Sequence, residues 1–146
     1  MAKSTYRTLR GSIKGSGNLK RELLLDDGLI NQGYRITDFV VWAGGSTGSL
    51  SCFATLSSKA KTAGTFQDAG INTEIAWAQY SYIAAAPYNF RYVDLDHIIN
   101  RDLLITLVTG ANATTWNYLI TMEARNLSDD EAILAIIREE AQNVGA

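Results

Sequence analysis

The chain has 146 residues, 47% of them apolar and 19% charged, with a formal net charge of −2. That is one domain's worth of chain, long enough to bury a sizeable core. No basic footprint points to nucleic acid, and a single Cys (Cys52) with a single His (His97) excludes an intrachain disulfide and a Cys/His zinc cage.

Taken in order, residues 5–14 read as a strand with Leu9, Gly11 and Ile13 inward. The run Gly11-Ser12-Ile13-Lys14-Gly15-Ser16-Gly17 resembles a phosphate loop only superficially. It lacks the Gly-Lys-Ser/Thr ending and no helical pattern follows, so it reads as a turn between strands. A second strand is expected at about 19–25, ended by the turn signal Asp26-Asp27-Gly28. A third spans Tyr34 to Ala43, with Phe39 and Val41 on one face and Val40 and Trp42 on the other. The glycines from Gly44 to Gly48 break it.

Alternation is plainest next. Leu50, Cys52, Ala54 and Leu56 share one face, and Ser49, Ser51, Thr55 and Ser57 the other, with Phe53 the exception. Period two over this length marks a half-buried strand. Residues 73–84 set Ile75, Trp77 and Gln79 against Ala76, Ala78, Tyr80 and Tyr82. Alanine there suits a helix, but the aromatics and the missing capping box favour a strand. Residues 103–108 are nearly all apolar, as in a strand covered on both faces. From Trp116 to Ala124, Trp116, Tyr118, Ile120 and Met122 oppose Asn117, Leu119, Thr121 and Glu123. With the short turn-rich link from Gly110 to Thr114, residues 102–126 are expected to form a hairpin.

The last segment has another period. Ser128-Asp129-Asp130-Glu131 is a capping box with two carboxylates at the positive end of a helix dipole. Ile133, Ile136, Ile137, Ala141 and Val144 then recur at helical spacing, and Leu134 widens the stripe. The pattern predicts a helix over about 129–143. Its stripe packs either on its own domain or on another chain. The fold class expected is mainly β: one domain over 1–146, an antiparallel β-sandwich or jelly roll with strands over about 5–126 and one C-terminal α-helix.

Chemistry is sparse. Asp94-Leu95-Asp96-His97 is the one cluster with metal-ligand residue types. Alternation separates His97 from the carboxylates, so a polar turn with carboxylates on backbone amides is the simpler account. No acid pair stands out as a hydrolase pair, and the expectation is no catalytic residue, no metal and no cofactor. Asn112-Ala113-Thr114 and Asn126-Leu127-Ser128 match the glycosylation acceptor pattern. They read as chance matches, because Met1 to Arg7 are not followed by the hydrophobic segment of a secretory signal. No apolar run approaches the ~20 residues of a membrane span. Trp77, Tyr80, Tyr82, Tyr88, Phe90 and Tyr92 lie close together in sequence. Aromatics fill cores, anchor protein interfaces and stack on sugars, and all three uses stay open. The candidate interface residues are Trp77, Tyr80, Tyr82, Ile133, Leu134, Ile136, Ile137 and Ala141.

The runs from Tyr92 to Ile105, from Asn117 to Glu123 and from Ser128 to Val144 carry a resemblance. Together they resemble small structural proteins of tailed bacteriophages, especially marine and cyanobacterial ones. The resemblance implies a virion component without enzymatic activity, foremost a capsid decoration or cement protein on the major capsid protein or another virion protein. It implies a homo-oligomer, with a trimer favoured, made in the host cytoplasm and located in the virion. A tail- or fibre-associated module binding host glycan through surface aromatics is the alternative. No catalytic motif comes with the family, so no residue role is carried over.

Overall fold

The structure, a computed structural model, describes residues 5–23, 32–44, 50–59, 67–71, 73–83, 86–99, 103–110, 114–126 and 134. Among them are nine strands: β1 (Thr5–Gly15), β2 (Asn18–Leu23), β3 (Gln32–Ala43), β4 (Leu50–Ser57), β5 (Glu74–Ile83), β6 (Ala86–Val93), β7 (Ile98–Ile99), β8 (Leu103–Thr109) and β9 (Thr114–Asn126). They form two sheets, one ordered β1-β9-β3-β7 and the other β2-β8-β4-β5-β6. Every pairing is antiparallel. The mainly β expectation therefore holds. The predicted helix lies outside the described residues except for Leu134, which has helical backbone.

The period-two rows meet in one core. Leu50, Cys52, Ala54 and Leu56 of β4 lie opposite Tyr82, Tyr80, Ala78 and Ala76 of β5, on the inner face of their sheet. Trp116, Tyr118, Ile120 and Met122 of β9 line the inner face of the other sheet and are almost wholly buried. Tyr80 and Trp116 join the two faces edge-on, with ring centroids 5.9 Å apart and planes at 76°. Edge-to-face rings at this spacing place the positive rim of one on the negative face of the other.

Strand β3 needs a bulge to stay in phase. Ile36 pairs Met122 but Asp38 pairs Thr121, so Thr37 is the extra residue. Tyr34 and Ile36 thus point inward before it, and Phe39 and Val41 after it. An inserted residue shifts parity by one, and here it carries both apolar pairs to the core. Thr37 Oγ1 donates to the Thr121 carbonyl at 3.1 Å, and Asp38 Oδ1 accepts from the Phe39 amide at 3.0 Å.

One expectation is corrected. Residues 102–126 are not a hairpin: β8 pairs β2 and β4, whereas β9 pairs β1 and β3 in the other sheet. A short polar link serves equally to turn within a sheet or to cross between two, and here Leu103, Ile105 and Leu107 of β8 and Trp116, Tyr118, Ile120 and Met122 of β9 are buried in one core from the two sheets. The Gly11–Gly17 run behaves likewise. Gly15 and Gly17 have φ of 150° and 80°, and the chain passes there from β1 in one sheet to β2 in the other. Strands β6 and β7 have no counterpart among the predicted strands.

Candidate functional site

The polar candidates resolve into structure. The Asp94 amide donates to the Ile75 carbonyl at 2.9 Å, and Asp94 Oδ1 accepts from the Asp96 amide at 3.0 Å. This is an Asx turn leading into β7. Among the described residues no group of three or more His, Cys, Asp and Glu is placed to hold a metal. Cys52 lies on the inner row of β4 at 1% exposure, and burial pushes its thiol up to about 12. A protonated, enclosed thiol is no nucleophile at neutral pH.

The outer face of the five-stranded sheet divides in two. Over β4 and the start of β5 it is covered. Gln67 Nε2 donates to the carbonyls of Ala54 at 2.7 Å and Ala78 at 2.9 Å, and Gln67 Oε1 accepts from Gln79 Nε2 at 2.7 Å. Glu74 Oε1 accepts from the Asp68 amide at 3.1 Å and from Trp77 Nε1 at 3.0 Å. On the same face Thr55 and Ser57, outward by parity, are only 2% and 1% exposed.

Over β6 the same face is open. Tyr88, Phe90 and Tyr92 alternate with the inward residues Asn89 and Arg91. Tyr88 is 59% exposed and Tyr92 66%. Their rings form a contiguous row: Tyr88 to Phe90 at 5.6 Å and 67°, Phe90 to Tyr92 at 5.7 Å and 60°. Trp77 stands opposite Tyr92 across the β5–β6 pair and extends the row onto β5. Side chains on the inner side of β6 close the sandwich. Asn89 Nδ2 donates to the Val41 carbonyl at 3.1 Å, and Arg91 Nε meets Asp38 Oδ1 at 2.7 Å.

The candidate interface residues are therefore dispersed. Trp77 lies on the outer face, with its indole N–H held by Glu74. Tyr80 and Tyr82 turn inward and pack against the core. Leu134 is 47% exposed, while Ile133, Ile136, Ile137 and Ala141 lie outside the described residues. The open row on β6 is the feature that listing aromatics by proximity did not isolate. Its signal is present in the sequence: Tyr88, Phe90 and Tyr92 are two apart, so one strand puts them on one face.

No protein-family model matches the chain, and no curated protein matches it. A solved chain from Bacillus endospore appendages, described as a novel family of disulfide-linked pili, is similar over 87% of this chain and 93% of its own. The identity is 12% and the TM-score 0.35.

Proposed function

We propose that this chain is a non-enzymatic structural subunit that works by protein–protein contact, in the capsid decoration or cement role implied by its resemblance to phage structural proteins. The observation that carries the reading is the aromatic row Tyr88–Phe90–Tyr92, open on one sheet face of a body whose described thiol and acidic turn are used internally. Aromatic side chains are enriched where proteins meet, and a row of touching rings with both ends exposed suits an interaction site. The jelly-roll form of the sandwich is supported by nested pairing: β1 with β9, β2 with β8, β3 with β7 and β4 with β5, with β6 as an added strand. Double-sheet jelly rolls occur in viral capsid and lectin domains, so this support is one of fold analogy. The partners on this reading are a shell subunit and further copies of the chain, and the location is the virion.

Quantitative mass spectrometry of particles purified from the source of the sequence tests the reading. The expected result is a copy number stoichiometric with the shell subunit. Absence from particles, or a handful of copies, overturns the decoration role. The glycan-binding alternative uses the same tyrosines, but rings tilted by 67° and 60° to their neighbours offer a sugar chain no single flat face. A glycan array separates the two: hits lost on Trp77→Ala and Tyr92→Ala favour the adhesion module, and an empty array removes it.

A further inference from the structure

Among the described residues four strands end the two sheets: β1 and β7 in one, β2 and β6 in the other. An end strand offers unpaired N–H and C=O groups to other chains, and proteins blunt such edges with charges, inward-pointing charges or shortness. Strand β1 carries Arg7, Arg10 and Lys14, and Arg7 turns over the Tyr34 ring at 5.8 Å. Strand β2 carries Lys20, Arg21 and Glu22, and Arg21 turns over the Tyr118 ring at 5.9 Å. Strand β7 is two residues long. From Tyr88 to Val93, β6 carries fewer of these protections among the described residues: it is not short, and it has a single charge where β1 and β2 have three each. Its one charge there, Arg91, is engaged by Asp38 of the same chain. Pro87 lacks an N–H but stands second in the strand, so it blunts only the start.

We propose that β6 is a self-pairing edge: two copies join β6 to β6, antiparallel, about a two-fold axis at Phe90, so that their five-stranded sheets become one continuous sheet. A two-fold interface needs residue i opposite j and j opposite i. About Phe90, Tyr88 faces Tyr92 of the second copy, Asn89 faces Arg91, and Phe90 faces itself. The outward row Tyr–Phe–Tyr reads the same in both directions, and Arg91 meets Asn89 instead of a second Arg91. The strand is also held ready. Asn89 and Arg91 tie it to β3 from inside, and the three rings already touch along it, so pairing has little freedom left to remove. The inference rests on edge geometry and not on the virion reading, so its test and the particle mass spectrometry fail separately.

The test uses the full chain in sedimentation equilibrium and light scattering. The expected species is a concentration-dependent dimer. Phe90→Lys puts two like charges on the axis and weakens the dimer at least about tenfold. Tyr6→Lys, on β1 at a residue 61% exposed, leaves the dimer unchanged. Circular dichroism checks that the variants keep their strands. A second measurement stands apart from the lysine variants: Phe90→Cys cross-links on oxidation, since residues opposite each other in an antiparallel pair are within disulfide reach. Tyr88→Cys does not cross-link, because its opposite is Tyr92, and Cys52 is too buried to compete. A monomer at all concentrations overturns the proposal. So does an oligomer of any size indifferent to Phe90→Lys with no Phe90→Cys cross-link. A monomer that binds shells through β6 assigns the edge to another protein's strand, and this also overturns self-pairing.

Discussion

The two flanks of the sandwich are closed by different means. On the β1/β2 flank, arginines fold back over tyrosines of the core: Arg7 over Tyr34, and Arg21 over Tyr118, to whose hydroxyl Arg21 Nη1 also donates at 3.4 Å. This closure requires close packing. A Cβ on Gly11 would stand 2.6 Å from the Tyr118 hydroxyl and 2.9 Å from its ring. On the β6/β3 flank the gap is spanned by polar reach, Asn89 to the Val41 carbonyl and Arg91 to Asp38. The first flank covers Tyr34 and Tyr118 with arginines and carries several charges, with Tyr6 exposed at the start of β1. The second neutralises its charge and shows aromatics. A charged rim discourages the addition of further strands. The difference is one of charge: several cations on the first flank, one paired cation on the second.

The comparison can be broken or sharpened in order of expected effect. Trp116 lies between the flanks and bridges the sheets to Tyr80. Trp116→Ala is expected to destabilise by about 3–5 kcal/mol in urea unfolding. A value near zero would mean that the sheets do not depend on this contact. Gly11→Ala forces Tyr118 from its place and is expected to cost about 1–3 kcal/mol. Its loss should be accompanied by perturbed Tyr118 fluorescence or ring resonances. A neutral result would show that the first flank is loosely packed, like the second.

The interior also has a pH signature. The Cys52 thiol ionises near 9.0 in the unfolded chain and near about 12 when folded. Between those values the unfolded chain has released a proton that the folded chain keeps, so stability falls as pH rises. The contribution is intact below the unfolded value and is lost by up to about 1.4 kcal/mol per pH unit above it. Unfolding curves of Cys52→Ala across that window should show a shallower slope than the parent. An identical slope would mean that the thiol is accessible. The smallest effect belongs to the second flank. Arg91 and Asp38 are 49% and 42% exposed, so Asp38→Asn is expected to cost no more than about 1 kcal/mol. Molar salt should erase that difference, because exposed pairs are screened. A larger, salt-insensitive loss would place this flank on the same packed footing as the first.

Much of the fold was legible because burial on a pleated strand repeats every second residue. The inward rows of β4 and β9 and the Phe39/Val41 pair are where the alternation puts them. The parity of residues 76–82 is as read, though sequence proximity grouped Tyr80 and Tyr82 with Trp77 although they face the other way. The candidate site was less legible. Tyr88, Phe90 and Tyr92 had the right spacing, but an exposed aromatic row and a buried one have the same period. Thr55 and Ser57 failed in the opposite sense, since these polar residues on the outer face are buried, and period two alone reads polar outward positions as exposed.

The sequence by itself determined most of the strands, all but β6 and β7, and which of their side chains share a face, because steric preference and i, i+2 alternation are carried by neighbouring residues. Only the tertiary structure decided that β8 and β9 belong to different sheets, that Thr37 bulges to restore the inward row of β3, and that β6 ends its sheet with its aromatics outward. Those outcomes turn on pairings between residues far apart in the chain, where the free energy depends on the whole buried surface and no local pattern records it.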